Sequence, residues 1–239
     1  SSMGGLAALE WALMDAERVQ AVVSIAASGR HSAWCMAWSE AQRLALQADP
    51  RFHRGQYLPS EPPVRGLAAA RAAAMISYRS PVSLEGRFGR ASAQEVFAEQ
   101  TRAPDDLAVR DWLRHHGQAL ASRFDANSYL ALLNAMDSHD LGRWRGVYEN
   151  VLKRITQPVL IGSVISDALY VPAEQRTLAF LLPRGELFEI DSEHGHDGFL
   201  IDAAAFEPRV RRFVQRLPAA APPLPMDVSR NAGRLRYAW

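Results

Sequence analysis

Four stretches between residues 29 and 150 place apolar side chains three and four positions apart: 37–47, 67–78, 107–120 and 127–136. That is the spacing of helices that bury one face. Asp49-Pro50 and Glu61-Pro62-Pro63 punctuate the first two of them. The pattern changes on either side of this block. Residues 19–28 (VQAVVSIAAS) and 158–167 (PVLIGSVISD) are short, continuous apolar runs rich in valine and isoleucine, and residues 186–191 (ELFEID) form a third strand-like stretch. Helical spacing returns at 171–181 and 206–216, and residues 6–13 make a good helix directly after Gly4-Gly5. Strands alternating with helices predict an α/β fold, here interrupted after its first strand by a helical insertion. The chain divides into a core segment at 1–31, a helical lid at 32–150, a second core segment at 151–217 and a proline-rich tail at 218–239 that lacks periodicity.

The candidate chemistry lies at the edges of the strands. Ser2-Met3-Gly4-Gly5 running into a helix is the back half of a G-x-S-x-G elbow, in which a nucleophilic serine sits on a sharp strand-to-helix turn. Small residues belong there because strand and helix backbones nearly touch. On its own the pattern also suits a serine that merely caps a helix. The rest of the chain decides against that. Asp167 closes the second apolar run, and His196 follows the third strand in Ser192-Glu193-His194-Gly195-His196-Asp197-Gly198-Phe199. Serine, then an aspartate at a strand end, then a histidine on a loop is the chain order of α/β-hydrolase triads. Ser2 is thus the candidate nucleophile, His196 the base, Asp167 its orienting acid, and the N–H of Met3 an oxyanion donor. His194 competes with His196, but the Gly-His-Asp-x-Phe context favours the latter.

Composition narrows the picture further. With 239 residues, 48% of them hydrophobic, the chain can bury a sizeable core. Its 27 basic and 26 acidic residues nearly cancel, which recommends neither nucleic acid nor an anionic membrane as partner. Arginine supplies every basic residue but Lys153, as expected of an Ala- and Arg-rich chain. Cys35 is the only cysteine, so no intrachain disulfide can form, which fits a reducing, cytoplasmic setting. His139 and the pair His115-His116 lack the company of other ligands, and no metal is expected.

Several longer blocks carry a resemblance. They are Ser2-Met3-Gly4-Gly5 with Leu9-Glu10-Trp11, Arg30-His31-Ser32-Ala33-Trp34-Cys35, Gly66-Leu67-Ala68-Ala69-Ala70-Arg71 through Tyr78-Arg79-Ser80, and Arg87-Phe88-Gly89-Arg90. Arg123-Phe124-Asp125-Ala126-Asn127-Ser128-Tyr129, Met136-Asp137-Ser138-His139-Asp140 and Gly195-His196-Asp197 complete the set. Together these resemble the homoserine O-acetyltransferases of the α/β-hydrolase superfamily, with wording also similar to the fungal homoserine enzymes and deacetylcephalosporin C acetyltransferase. The resemblance implies acetyl transfer from acetyl-CoA to the hydroxyl of L-homoserine through an acetyl-Ser2 intermediate, a step of methionine biosynthesis, with no bound cofactor. Serine O-acylation, deacetylcephalosporin C acetylation and plain ester hydrolysis remain alternatives on the same scaffold.

The resemblance also implies roles for acceptor-binding residues. Arg71 matches the partner of the substrate carboxylate, Tyr78 a hydrogen-bonding group two helical turns further on, and Asp197 the partner of the ammonium. Asp125, Asp137 and Asp140 are expected as caps and lid salt bridges. A homodimer formed through the lid is implied as well. No strand precedes Ser2 in the sequence, so an N-terminal fragment of the same protein, carrying early strands and a second oxyanion donor, is expected as a further partner.

Overall fold

The computed structural model describes residues 1–97 and 107–218; the tail expected at 218–239 lies almost wholly outside the described residues. Three strands, β1 (Val22–Ile25), β2 (Val159–Val164) and β3 (Gly185–Ile190), form a parallel sheet in the order β1-β2-β3. All six residues of β2 are buried, as a central strand covered on both faces requires. Its side chains alternate between two apolar clusters. Val159 and Ile161 face Leu9, Val22, Leu178 and Leu182, whereas Leu160 and Val164 face Phe188, Phe206 and Phe213. The first cluster is closed by α1 (Met3–Met14) and α9 (Pro172–Leu181), the second by the short α10 (Gly198–Ile201) and by α11 (Ala203–Gln215). Each fully buried Val, Leu or Phe of this kind stabilises the fold by about 1.5–3 kcal/mol. The α/β-hydrolase expectation is therefore met by a helix–sheet–helix layering around β2.

Between β1 and β2 the described residues hold seven α-helices: α2 (Ala33–Gln47), α3 (Val64–Ser77), α4 (Pro81–Phe88), α5 (Ala93–Phe97), α6 (Ala108–Ala121), α7 (Ala126–Asp137) and α8 (Tyr148–Leu152). A 3₁₀ segment, Pro50–Gly55, joins α2 to the approach to α3. Periodicity located α6 and α7 to within a residue at their starts, and α2 and α3 without their first turns. Ser32 accepts the N–H of Cys35, so α2 starts four residues before its periodic stretch. Asp125 accepts the N–H of Ser128 at the head of α7 and also the hydroxyl of Tyr57. The alanine-rich α3 lies between α2 and α6 at very close range. A Cβ added at Gly117 of α6 would stand 2.5 Å from the carbonyl oxygen of Ala68, so only glycine fits that crossing. Leu46, Phe52, Leu67, Ala70 and Leu120 give the insertion an apolar core of its own.

The insertion enters and leaves through one crossing. Arg30 and Asp140 form an antiparallel bridge, the N–H of His31 donates to the carbonyl of His139 (2.8 Å), and that of Leu141 donates to Gly29 (3.0 Å). Two sequence blocks more than a hundred residues apart, R-H-S-A-W-C and M-D-S-H-D, are thereby one structural unit.

Candidate active site

Ser2 stands at the head of α1, beside the end of β1, in a conformation few non-glycine residues adopt, with φ 49° and ψ −131°. Such backbone costs about 1–3 kcal/mol and persists only where surrounding bonds impose it. Here the N–H of Ser2 donates to Ile25 (2.8 Å), and its carbonyl receives the N–H groups of Gly5 (2.7 Å) and Leu6 (3.1 Å). The serine hydroxyl makes no capping bond to α1, although Ser2 occupies the cap position. It turns to His196 instead. The two flanking glycines differ in necessity. A Cβ at Gly5 would sit 2.8 Å from the Cβ of Ala27, whereas one at Gly4 would meet nothing within 4 Å. The close strand–helix contact thus falls on Gly5 alone.

His196 Nε2 lies 2.9 Å from Ser2 Oγ, and its Nδ1 lies 2.8 Å from Asp167 Oδ2. A carboxylate only accepts, so Nδ1 carries the ring proton and Nε2 is free to accept from the serine hydroxyl. Asp167 stands three residues beyond the end of β2. Its other oxygen, Oδ1, accepts the N–H groups of Leu169 (2.8 Å) and Tyr170 (3.0 Å), which fixes the carboxylate in one orientation. Ser166 next to it accepts the N–H of Gly195 (2.9 Å) and donates to the carbonyl of Ser192, tying the end of β2 to the histidine loop. The imidazole is packed by Tyr78, Tyr170 and Phe199 at centroid distances of 5.6, 5.6 and 5.4 Å. His194 points elsewhere, with its Nδ1 3.2 Å from Ser83 Oγ. Met3 opens α1, so its N–H has no carbonyl one turn back to receive it.

A cavity of about 230 Å³ opens beside Ser2. Ser2, Met3, Leu169 and Tyr170 form its core side, and residues on or next to α2, α3, α6 and α7, among them His31, Tyr78 and Phe124, form the rest. The lid wall presents Arg71, whose guanidinium carbon stands 5.2 Å from the ring centre of Tyr78. No carboxylate lies within ion-pair distance of Arg71 among the described residues. Burial pushes the Tyr78 hydroxyl up, with Arg71 partly opposing, so the phenol stays protonated and can donate. Tyr129, from the R-F-D-A-N-S-Y block, donates to Gln42 Oε1 (2.5 Å) in the same wall. Cys35 also lines it, but burial pushes its thiol up to about 11, and Sγ donates to the carbonyl of Leu169. It is a neutral packing group.

Asp197 is held differently from Arg71 and Tyr78. Its N–H donates to the Tyr78 carbonyl (3.0 Å), and its carboxylate lies 3.4 Å from Arg79, outside the set of residues that line the cavity. Burial raises the Asp197 carboxyl above the usual range, with Arg79 partly offsetting it. The sequence offered no role for Arg79, Gln42, Tyr129, His31 or Tyr170. His31 and Tyr129 lay inside recognisable blocks, while Tyr170, third after Asp167, had only its place in the loop beyond the acid to mark it.

A strained serine at the head of a helix and beside a strand end, hydrogen-bonded to a histidine that a buried carboxylate orients, can attack an acyl carbon and hold an acyl group. The model of the alpha/beta hydrolase fold matches residues 1–203 of the chain. The chain belongs to the alpha/beta hydrolase fold family. It is 48% identical to a homoserine O-acetyltransferase of Trichormus variabilis over 216 residues, which cover 90% of this chain and 58% of that protein. It is likewise 48% identical to a homoserine O-acetyltransferase of Salinibacter ruber over 208 residues, 85% of this chain and 57% of that one. The chain thus spans less than two thirds of the length of the curated relatives it matches. Among solved structures, a homoserine O-acetyltransferase from Bacillus anthracis superposes with a TM-score of 0.80 at 21% identity, covering 92% of this chain and 60% of that one. An acetylester hydrolase from Corynebacterium glutamicum superposes with a TM-score of 0.74 at 18% identity, covering 90% and 59%. Those two likenesses concern the fold alone. No helix among the described residues is long and apolar enough to cross a membrane.

Proposed function

We propose that this chain carries the acyl-transfer site of a homoserine O-acetyltransferase, with Ser2, His196 and Asp167 as its catalytic residues. In the first half-reaction Ser2 Oγ attacks the thioester carbonyl of acetyl-CoA while His196 Nε2 takes its proton. The N–H of Met3 stabilises the oxyanion, and the tetrahedral species collapses as the coenzyme leaves as a thiol with the proton from His196. In the second, His196 takes the proton of the acceptor hydroxyl as that oxygen attacks the acetyl-serine, and Ser2 Oγ leaves with the proton. Asp167 keeps the imidazole in the required tautomer and supports its charge while it holds the extra proton.

The observation that carries the choice of an amino-acid acceptor over water is Arg71, a cavity-wall guanidinium with no carboxylate at ion-pair distance among the described residues. A planar cation in a half-buried wall is matched to a carboxylate ligand. Tyr78 would hydrogen-bond the same ligand. Asp197 would take its ammonium only from a ligand that reaches past the cavity wall to the Arg79–Asp197 pair, since Asp197 does not line the cavity. The 48% identity to homoserine O-acetyltransferases supports homoserine as that ligand. A cytoplasmic setting in methionine biosynthesis and pairing of two copies through the lid belong to the same proposal.

The test is a partition experiment. The protein is acetylated with acetyl-CoA, and decay of the acetyl-enzyme is followed by mass with water alone and with L-homoserine, L-serine or deacetylcephalosporin C added. Homoserine should accelerate decay most and yield O-acetylhomoserine. Decay at one rate regardless of acceptor would make the protein an esterase.

A further inference from the structure

His31 sits inside the crossing where the lid meets the core, buried and facing two ways. Its Nδ1 lies 3.1 Å from the Tyr170 hydroxyl, and its Nε2 lies 3.6 Å from Asp137 Oδ1. Among the described residues His31 is the one hydrogen-bond partner of that hydroxyl. Tyr170 therefore donates to Nδ1, and the imidazole proton sits on Nε2, aimed at Asp137. Burial lowers the His31 pKa, in keeping with a neutral ring, while Asp137 pulls the other way. Nε2 and Oδ1 are both buried without a hydrogen bond, and the 3.6 Å between them is just too long for one. The second oxygen of Asp137 accepts from Arg43 (2.6 Å), so α7 and α2 are locked together on the lid side.

Tyr170 is held at both ends. Its N–H is fixed by Asp167 Oδ1, the carboxylate whose other oxygen orients His196, and its hydroxyl is fixed by His31. Its ring packs against the His196 imidazole, as does Tyr78. A base must be held to within about 0.5 Å and 10–20° of its working position, and a displacement of about 1 Å can cost 10²-fold in rate. We propose that Tyr170 and His31 are positioning residues for acyl transfer, which steady His196 through the Tyr170 ring and make that support depend on Asp137 and Arg43 of the lid. The proposal rests on the assignment of Ser2 as nucleophile. Ordering of the lid around an acceptor would then tighten the base as well as enclose the cavity.

The experiment measures single-turnover acetylation of Ser2 by 4-nitrophenyl acetate, which reports the first half-reaction whatever the natural acceptor. Tyr170→Phe removes one hydroxyl and keeps the ring. It should slow acetylation about tenfold, the equivalent of one hydrogen bond of ordinary strength, with the KM for the ester unchanged. His31→Leu should do at least the same. His31→Asn, whose amide oxygen can still accept from Tyr170, should recover part of the loss. Asp137→Asn, which keeps its size, should slow the step several-fold. The Tyr170→Phe/His31→Leu double variant should be no slower than the worse single one, because both act through one contact. Acetylation of Tyr170→Phe within twofold of the parent, or additive losses in the double variant, would overturn the positioning role. Ser2→Ala separates the two layers. If it still acetylates at the parental rate, the nucleophile assignment has failed, and the positioning role with it. If it is inert while Tyr170→Phe is unimpaired, only the positioning role has failed.

Discussion

The end of the sheet and the lid crossing each bury a histidine between a hydroxyl and a carboxylate, but at different tension. His196 has both contacts at hydrogen-bond length, 2.9 and 2.8 Å; Asp167 and His196 come from loops that follow β2 and β3, and Ser2 is bonded to the end of β1. His31 has one contact at 3.1 Å and one gap of 3.6 Å, and its carboxylate comes from a lid helix. Groups carried on the ends of one sheet inherit its rigidity, so their separations are fixed before any ligand arrives. Groups shared between core and lid depend on how two packed bodies sit. On the proposed reading, the core supplies geometry for bond making, and the lid supplies recognition and adjustable support.

The sharpest way to break this division is to remove the core groups. Ser2→Ala and His196→Ala should each lower acetyl transfer on the order of 10⁴-fold or more, and neither should accumulate an acetyl-enzyme detectable by mass. His194→Ala, which loses only a contact to Ser83, should fall by a few-fold at most. The reverse ranking of the two histidines would move the base to His194 and undo the contrast. Arg71→Ala comes next in size. Loss of a charged partner in a half-buried wall costs about 2–5 kcal/mol, so transfer to homoserine should fall roughly 10²–10³-fold while acetylation of Ser2 by acetyl-CoA holds. Equal damage to both half-reactions would show that Arg71 supports the site as a whole and does not read the acceptor.

That contrast also explains what the sequence disclosed. Strand ends are legible because β2 is a continuous apolar run and Asp167 breaks it, and because Ser2 is followed by glycines and a helix. Chain order then assembles three weak signs into one site. The lid is harder. Apolar spacing locates α2, α3, α6 and α7, but Ser80-Pro81, a cap followed by a helix-starting proline, was a readable sign of α4 that periodicity passes over in so short a helix. The crossing of residues 28–32 with 137–142 has no local sign at all, since a contact between segments a hundred residues apart leaves no period. His31 and Tyr170 meet only because of it. Gly4 and Gly5 look alike in the sequence, and only the distance to Ala27 tells them apart.

Those two glycines give a prediction of intermediate size. Gly5→Ala should destabilise the fold by about 1–3 kcal/mol through overpacking against Ala27 and Ser24, and it should slow acetylation by displacing the Ser2 turn. Gly4→Ala should be neutral or slightly stabilising, since alanine is the better helix former and has open space. Thermal unfolding of the two variants measures both. A Gly4→Ala as damaging as Gly5→Ala would mean that the strand–helix contact is placed wrongly.

The smallest effect concerns protons at the crossing. His139 is buried there, with Nε2 3.2 Å from the Ser28 carbonyl and Nδ1 3.6 Å from Glu10. Burial lowers its pKa below the ordinary 6.5 and Arg145 adds to the lowering, while Glu10, the Ser28 carbonyl and Asp140 oppose it. His31 is lowered in the same direction, chiefly by burial, with His139 adding and Asp137 opposing. A histidine with a depressed folded pKa binds its proton more readily when unfolded. Above about pH 6.5 neither state holds the proton and the residue is indifferent to pH. Below that value the unfolded state gains protons first, so stability falls as pH falls until the folded pKa is reached. His139→Gln keeps a donor for the Ser28 carbonyl and cannot titrate. Its Tm, compared with the parent between pH 8 and pH 5, should fall less steeply below pH 6.5 and run parallel above it. Parallel curves throughout would mean that the crossing tolerates a charged His139, and that its carboxylates and not its burial decide the histidine's state.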